Sequence, residues 1–443
     1  MPLHLSAKIP TRPNFVFNNT LQYYYNFTKF ALSCKDHDWT QPLIEGPWDI
    51  GFSESYVTVA GIQKPPYAFL RNSKFEQNVL DNITYWRSGT YSMPFGTSEI
   101  LGNGEGSTDW DSTAYNMILV NETEKFLERH VQNNNSSQPF FTYVSLGGVH
   151  IPHSPPDKYI DGSKISGQYK TNHMDLLGEM DKVLGSLIKI LEEKELLKDT
   201  IIVFTSDNGG VGLKSGSFRE GHKSSGPLRG NKGSIYEGGH RIPMVIRWDN
   251  GMIPRGETRD RVVGLNDLFA TLSDLVGIRV PKGQATDSIS FANYIMDKNN
   301  TDGVRESLGV WKYKGSPFGL YFSSLRKGEW KLVYDHKKNS TALFNLSEDI
   351  SEMDDVSRVH NEKVNQLLDE MKLIGPCVDK IGMFHVRRDK VSANNKRYKK
   401  RNCGWFRKRK RRCYTHHEGR VHCGLTCALE REEWCNTISE EYY

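Results

Sequence analysis

Short apolar runs that stop at polar, glycine-rich segments alternate along this chain with longer stretches of helical period. Ile201, Ile202, Val203 and Phe204 form one such run and read as a buried strand. Pro139 to Leu146 forms a second strand candidate. Between them Met174, Leu177, Met180, Leu184, Leu187 and Leu191 recur at helical spacing, which predicts an amphipathic helix over 172–194 with its methionines in the core. Asn266 to Val276 predicts another helix, closed by Gly277. This alternation predicts an α/β fold: a mainly parallel sheet covered by helices on both faces, with the strands ending near Leu146 and Ser206 as neighbours. Beyond residue 300 the pattern changes. Tyr321 to Tyr334 reads as a hairpin turning at Lys327-Gly328, Ala342 to Leu346 as a further strand, and Asn361 to Met371 as a helix. These predict a small antiparallel C-terminal subdomain.

The strand ends carry the candidate chemistry. Thr205-Ser206-Asp207-Asn208-Gly209-Gly210 follows the first run. Asp207 and Asn208 offer hard oxygen ligands where open α/β folds place their sites, although Asp-Asn-Gly is also an ordinary turn. The second run enters Gly147-Gly148-Val149-His150-Ile151-Pro152-His153, a Pro-stiffened loop whose histidines fit either a site or a plain surface loop. Downstream, Gly230-Asn231-Lys232-Gly233 leads to Tyr236-Glu237-Gly238-Gly239 and then Arg241-Ile242-Pro243. Four glycines in this run predict close backbone approach, with Lys232 free to project a cation.

Taken in order, these segments resemble the sulfatase family of the alkaline-phosphatase superfamily, over roughly residues 39 to 355. Trp39 to Phe52 and Pro65-Pro66-Tyr67 are similar to a family loop beside the active-site mouth, and Tyr169 to Gly185 to its long helix. The resemblance implies an arylsulfatase-like sulfuric ester hydrolase. Asp207 and Asn208 would be metal ligands, usually of Ca2+. Lys232 would bind a sulfate oxygen, and His150 would contact the sulfate and donate a proton to the leaving alkoxide. The family's nucleophile is a formylglycine made from a cysteine in a Cys-x-Pro-Ser-Arg-like run, preceded by two metal-binding aspartates. Neither pattern occurs here: Cys34 lies in Ser33-Cys34-Lys35-Asp36, without the Pro or the Ser-Arg. The expected catalytic N-terminal segment is therefore lacking from this sequence.

Composition adds to this picture. The 443 residues, 37% hydrophobic and 11% aromatic, suffice for one large and one small domain. The expected organisation is an atypical segment over 1–38, a sulfatase-like α/β domain over 39–300, an α+β subdomain over 301–376 and a basic, Cys-rich tail over 377–443. No apolar run is long enough to span a bilayer. From Arg387 to Arg412 there are 14 Lys/Arg and one acidic residue, a local net of +13 against +5 for the chain, which leaves −8 for the remainder. Such a run reads as solvated, as a binder of polyanions such as sulfated polysaccharide, or as a nucleic-acid-binding or nuclear-targeting segment with no recognised nucleic-acid fold beside it. Five cysteines, Cys403, Cys413, Cys423, Cys427 and Cys435, share this tail with His416, His417 and His422, and Cys377 precedes them. They suggest disulfides, with a zinc site as the rival. Sequons at Asn18, Asn26, Asn82, Asn121, Asn134, Asn135, Asn299, Asn339 and Asn345 suggest a glycoprotein on a secreted or lysosomal route.

The expected function is hydrolysis of sulfate esters at a calcium-assisted site that is incomplete in this sequence, with a sulfate ester as partner and a sulfated glycan as a candidate for it. The alternatives are an inactive sulfatase-like protein that binds sulfated glycans, and a phosphoesterase of the same superfamily. The upstream genomic sequence would separate a missing segment from a natural short form.

Overall fold

The computed structural model describes residues 3–8, 38–43, 46–133, 138–212, 216–313 and 320–374. Cys34 and the whole tail from 375 lie outside the described residues, and with them the disulfide, zinc and polyanion expectations.

Strands β1 (Leu3–Lys8), β2 (Glu54–Thr58), β3 (Phe69–Arg71) and β4 (Lys74–Phe75) belong to the main sheet. Strands β5 (Ile83–Trp86) and β8 (Gly104–Ser107) form one pair; β6 (Gly89–Met93) and β7 (Gly96–Ile100) form another. Helix α1 (Tyr115–Gln132) leads to β9 (Phe140–Val144), which closes the main sheet in the order β4-β3-β2-β1-β9. Helix α2 (Asn172–Glu193) leads to β10 (Ile202–Thr205), which pairs with β11 (Met244–Arg247).

Helices α1 and α2 pack together over this framework. Met117, Val120, Phe126 and Leu127 of α1 meet Met180, Val183, Ile190 and Leu191 of α2, with Phe140 and Leu146 against them. The helix predicted over 172–194 is present, but its buried stripe is rotated. Leu176, Met180, Val183 and Ile190 are buried, whereas Leu177 is 41% exposed and Met174 only half-buried. The rotation arises because His173, Asp175 and Glu179 share the buried face. A count of apolar positions alone assigns those residues to solvent.

The expected neighbourhood of the two site strands differs too. Strand β9 pairs antiparallel with β1 in the register His4↔Val144, and β10 pairs antiparallel with β11 in the register Phe204↔Val245. Among the described residues no ladder joins β9 to β10. Each has given an edge to another partner, and the side chains of β10 are half-buried rather than buried.

Helix α3 (Leu268–Leu275) ends before Gly277, whose φ of +71° is the left-handed conformation that terminates a helix cheaply only with glycine. The C-terminal unit is an antiparallel meander of β12 (Ser307–Tyr313), β13 (Leu320–Lys327), β14 (Trp330–Asp335) and β15 (Ser340–Asn345). Its hairpin turns at Gly328, at the predicted position. Helix α4 (Asn361–Ile374) lays Val364, Leu367 and Met371 on Leu325, Leu332 and Leu343.

A buried ion cluster joins this unit to the rest. Lys331 of β14 is 1% exposed, and its Nζ lies 2.9 Å from Glu237 Oε1 and 2.9 Å from Glu352 Oε1. Arg326 of β13 adds a 2.9 Å bond to Glu237 Oε2. Burial alone would raise the Glu237 carboxyl, but Lys331 and Arg326 outweigh it and hold it below the usual carboxylate range. Burial wins at Glu352, whose carboxyl is raised despite Lys331.

Removing one partner of such a cluster strands the others uncompensated in the interior. Lys331→Met is expected to destabilise the protein by about 3–5 kcal/mol in equilibrium chemical denaturation. Lys372→Met, at an ion pair with 70% and 73% exposed partners, serves as the control and should change stability by less than about 0.5 kcal/mol.

Candidate active site

Asp207 and Asn208 stand just beyond β10, with Asp207 exposed and Asn208 half-buried. The Asn208 amide donates to the Asp207 carboxylate, and Asn208 Oδ1 is buried without a hydrogen-bond partner among the described residues. A buried oxygen in that state suits a ligand that accepts a lone pair. The oxygens of this pair therefore fit a hard cation in their chemistry. No group of three or more His, Cys, Asp or Glu able to hold a metal occurs among the described residues.

The next two glycines bring the Lys232 loop onto this turn. Gly209 N–H donates to the Gly239 carbonyl at 3.0 Å, and Lys232 N–H donates to the Gly210 carbonyl at 2.9 Å. Gly238 N–H donates to the Arg229 carbonyl at 2.8 Å, which closes the glycine run on itself. A Cβ on Gly209 would collide with the Gly238 carbonyl, and one on Gly238 with the Gly230 carbonyl. The predicted close approach is thus backbone against backbone, with no side chain between. Lys232 itself is exposed.

The run is held from both flanks. Arg229 donates through Nη1 to the Glu352 carbonyl at 2.6 Å, and its guanidinium lies 3.7 Å from the Tyr236 ring centre. Glu237 N–H donates to Glu352 Oε2 at 2.7 Å. Glu237 occurs in the sequence run that pointed to the site, but its role as an anchor could not be read there, because Lys331 and Glu352 are far away in sequence.

His150 lies on the loop that follows β9 and is exposed. Its backbone N–H donates to the Gly147 carbonyl at 2.9 Å, and Nδ1 lies 2.8 Å from the Ile151 carbonyl. A carbonyl only accepts, so Nδ1 carries the proton and Nε2 is the nitrogen left for acid–base work. The link between this strand and Asp207 is Tyr143, whose hydroxyl is raised by burial and then by the Asp207 carboxylate. No hydrogen bond between His150 and Lys232 or Asp207 is seen among the described residues.

Two buried residues of the helices hold the His150 loop. Asn116 Oδ1 accepts from Gly147 N–H at 2.9 Å and from Gly148 N–H at 3.3 Å. Its Nδ2 donates to Glu179 Oε2 at 3.1 Å. Glu179 is fully buried, and burial pushes its carboxyl up to about 8, so it stays protonated at neutral pH. Behind the loop the rings of His153, His173 and His222 lie in a tilted row with centres 5.1 and 5.7 Å apart. Burial, followed by the charges of His153 and His222, lowers His173 to about 4. His153 is lowered by burial and by His150. The helical period pointed to none of these polar residues.

The sulfatase family's sequence profile matches residues 50–278, just over half of the chain, and the profile for the N-sulphoglucosamine sulphohydrolase C-terminal region matches 231–374. This chain belongs to the sulfatase family. It is 28% identical over 362 residues to an N-acetylgalactosamine-6-O-sulfatase of Bacteroides thetaiotaomicron, covering 72% of this chain and 67% of that protein. It is 32% identical over 178 residues to human arylsulfatase D, covering 39% and 28% respectively. The chain thus spans two thirds of one relative and little more than a quarter of another. A solved sulfatase from work on glycosaminoglycan metabolism by Bacteroides thetaiotaomicron superimposes with a TM-score of 0.62 at 23% identity, over 76% of this chain and 75% of that one. That likeness gives the fold as alkaline-phosphatase-like α/β with the small antiparallel C-terminal subdomain. No helix among the described residues is long and apolar enough to cross a membrane.

The two buried groups set opposite pH limits. Glu179 is raised from 4.5 to about 8, so the stability it contributes is complete below pH 4.5 and is lost as pH rises towards 8. His173 is depressed from 6.5 to about 4, so stability is lost as pH falls from 6.5 towards 4. Above pH 6.5 only the Glu179 loss remains. Thermal melts from pH 6.5 to 8.5 should therefore show Tm falling for the natural protein and falling less steeply for Glu179→Gln. A Glu179→Gln profile parallel to the natural one would remove Glu179 as the cause.

Proposed function

We propose that this chain carries the sulfate-binding and cation-binding part of a sulfatase site acting on sulfate esters of sugars. The observation that carries the reading is the glycine seam, which sets the backbone of Lys232 against the turn that bears Asp207 and Asn208. The sugar class follows from the relative named N-acetylgalactosamine-6-O-sulfatase, and a 6-sulfated hexosamine is the substrate we favour.

A sulfate ester is a compact anion whose hydrolysis puts charge on the transferring group and on the leaving oxygen. Lys232 supplies a cation for a sulfate oxygen, on a loop whose backbone is already fixed. With Nδ1–H directed at the Ile151 carbonyl, His150 would deliver a proton to the leaving alkoxide from Nε2 as the doubly protonated imidazolium. Asp207 and Asn208 would hold a divalent cation, calcium by family resemblance, which when bound supplies further positive charge against the sulfate. The family's nucleophile, formylglycine, has no precursor among the described residues, since all seven cysteines lie outside them. We place the protein on a secreted or lysosomal route, because sequon residues Asn82, Asn121, Asn299 and Asn339 are all exposed and open to glycosylation.

Calorimetric titration with inorganic sulfate and with a 6-sulfated hexosamine tests the anion site. Both should bind, and Lys232→Ala should weaken both by roughly 10- to 100-fold, the value of one charge-assisted hydrogen bond. Unchanged affinity in that variant would sink the assignment. On an aryl sulfate, after coexpression with the family's modifying enzyme, this chain should show no turnover. Turnover that Cys34→Ala abolishes would instead identify Cys34 as the nucleophile. Binding without turnover is the result expected of a sulfated-glycan binder.

Calcium should bind weakly, in the millimolar range, because two side chains stand where the ion takes six to eight oxygens. Asp207→Ala should abolish that binding in the same calorimeter. Micromolar affinity would mean that other carboxylates complete the site.

A further inference from the structure

A cleft beside the His150 loop has no part in the chemistry above. It has a volume of about 580 Å³ and is lined by Gln168, Tyr169, Lys170, Met174, Glu220 and His222. Its two walls are fixed. On one side Asp175 accepts from Gly167 N–H at 2.8 Å and from Tyr169 N–H at 2.7 Å, which sets the segment entering α2. On the other, His222 N–H donates to the Ser217 carbonyl at 2.9 Å. A 2.8 Å bond between the Thr171 and Ser217 hydroxyls ties the walls together. The cleft is also tied to the proposed active site. Asn172 Nδ2 donates to the His153 carbonyl at 3.1 Å, three residues beyond His150, and the tilted row of His153, His173 and His222 rings runs from that loop to the cleft wall.

We propose that this cleft binds the sugar adjacent to the one bearing the scissile sulfate, in an acidic oligosaccharide substrate. The proposal rests on the reading of Lys232 and His150 as the sulfate site. The lining has the chemistry that a pyranose needs. Tyr169 is 51% exposed and offers a flat face for sugar C–H groups. Glu220 accepts from hydroxyls, Gln168 both accepts and donates, and Lys170 meets an anionic substituent on the ring. The cleft is shallow and open to solvent, a shape that suits a sugar ring lying on the surface.

The test compares a 6-sulfated hexosamine with an acidic tetrasaccharide that ends in the same sugar, titrated into the full chain by calorimetry. The tetrasaccharide should bind about tenfold more tightly, the equivalent of roughly 1.4 kcal/mol. Tyr169→Ala and Lys170→Ala should each remove that advantage and leave the monosaccharide affinity unchanged, which also reports that the variant is folded. Lys170→Arg should keep the advantage, and Lys232→Ala should weaken both ligands. Equal affinity for the two sugars, or cleft variants that weaken both alike, overturns the proposal. Tetrasaccharide binding that depends on Tyr169 and Lys170 but not on Lys232 would keep the cleft and overturn the sulfate-site reading. Binding of neither sugar overturns both.

Discussion

Lys331 is a buried ammonium group that must find negative charge, and the site depends on where it finds it. One carboxylate, Glu237, sits at the end of the glycine run, and the other, Glu352, lies beyond β15. Glu352 then turns its other oxygen and its carbonyl back to Glu237 N–H and Arg229. The segment bearing Lys232 is thereby clamped at both ends to the C-terminal meander. Ion clusters of this kind add little net stability over a well-packed apolar substitute, because desolvation consumes most of the Coulomb gain. What they do is punish misplacement: a shift of either carboxylate leaves a bare charge in the interior. That penalty fixes the register between two units whose apolar surfaces alone would tolerate sliding.

Much of this was legible in the sequence, for reasons particular to each element. The hairpin at Lys327-Gly328 could be located because a turn needing positive φ selects glycine and the flanking runs are β-branched or aromatic. The strand before Asp207 and the glycine run after Arg229 were visible because their composition permits little else. The pairing of the strands was not legible, since β9 and β10 read alike whether they neighbour each other or take β1 and β11. The rotated face of α2 was hidden for another reason. His173, Asp175 and Glu179 are buried against other rings or through hydrogen bonds, and a hydrophobic period does not register a buried polar residue. The anchors Asn116, Lys331 and Glu352 are defined by partners far along the chain, which no local pattern reports.

Two kinds of restraint act on the proposed catalytic loops. The His150 loop is held by polar side chains, through Asn116 and a protonated Glu179, so its hold depends on solution conditions. The Lys232 loop meets the Asp207 turn through backbone alone, and nothing in that contact titrates.

The backbone seam also has a bearing on how such a site diversifies. Gly209 and Gly210 on one strand exit bond to Gly239 and Lys232 on the other through backbone groups, and so close a loop at its neck. Closure entropy grows only logarithmically with loop length. Insertions in that loop away from Ser224 and Ser225, which touch the neck, therefore cost the closure little. The wall of the cleft that includes Glu220 and His222 lies inside that loop. The fold thus separates a backbone-held frame at the Lys232 turn from a loop whose length can change at little entropic cost.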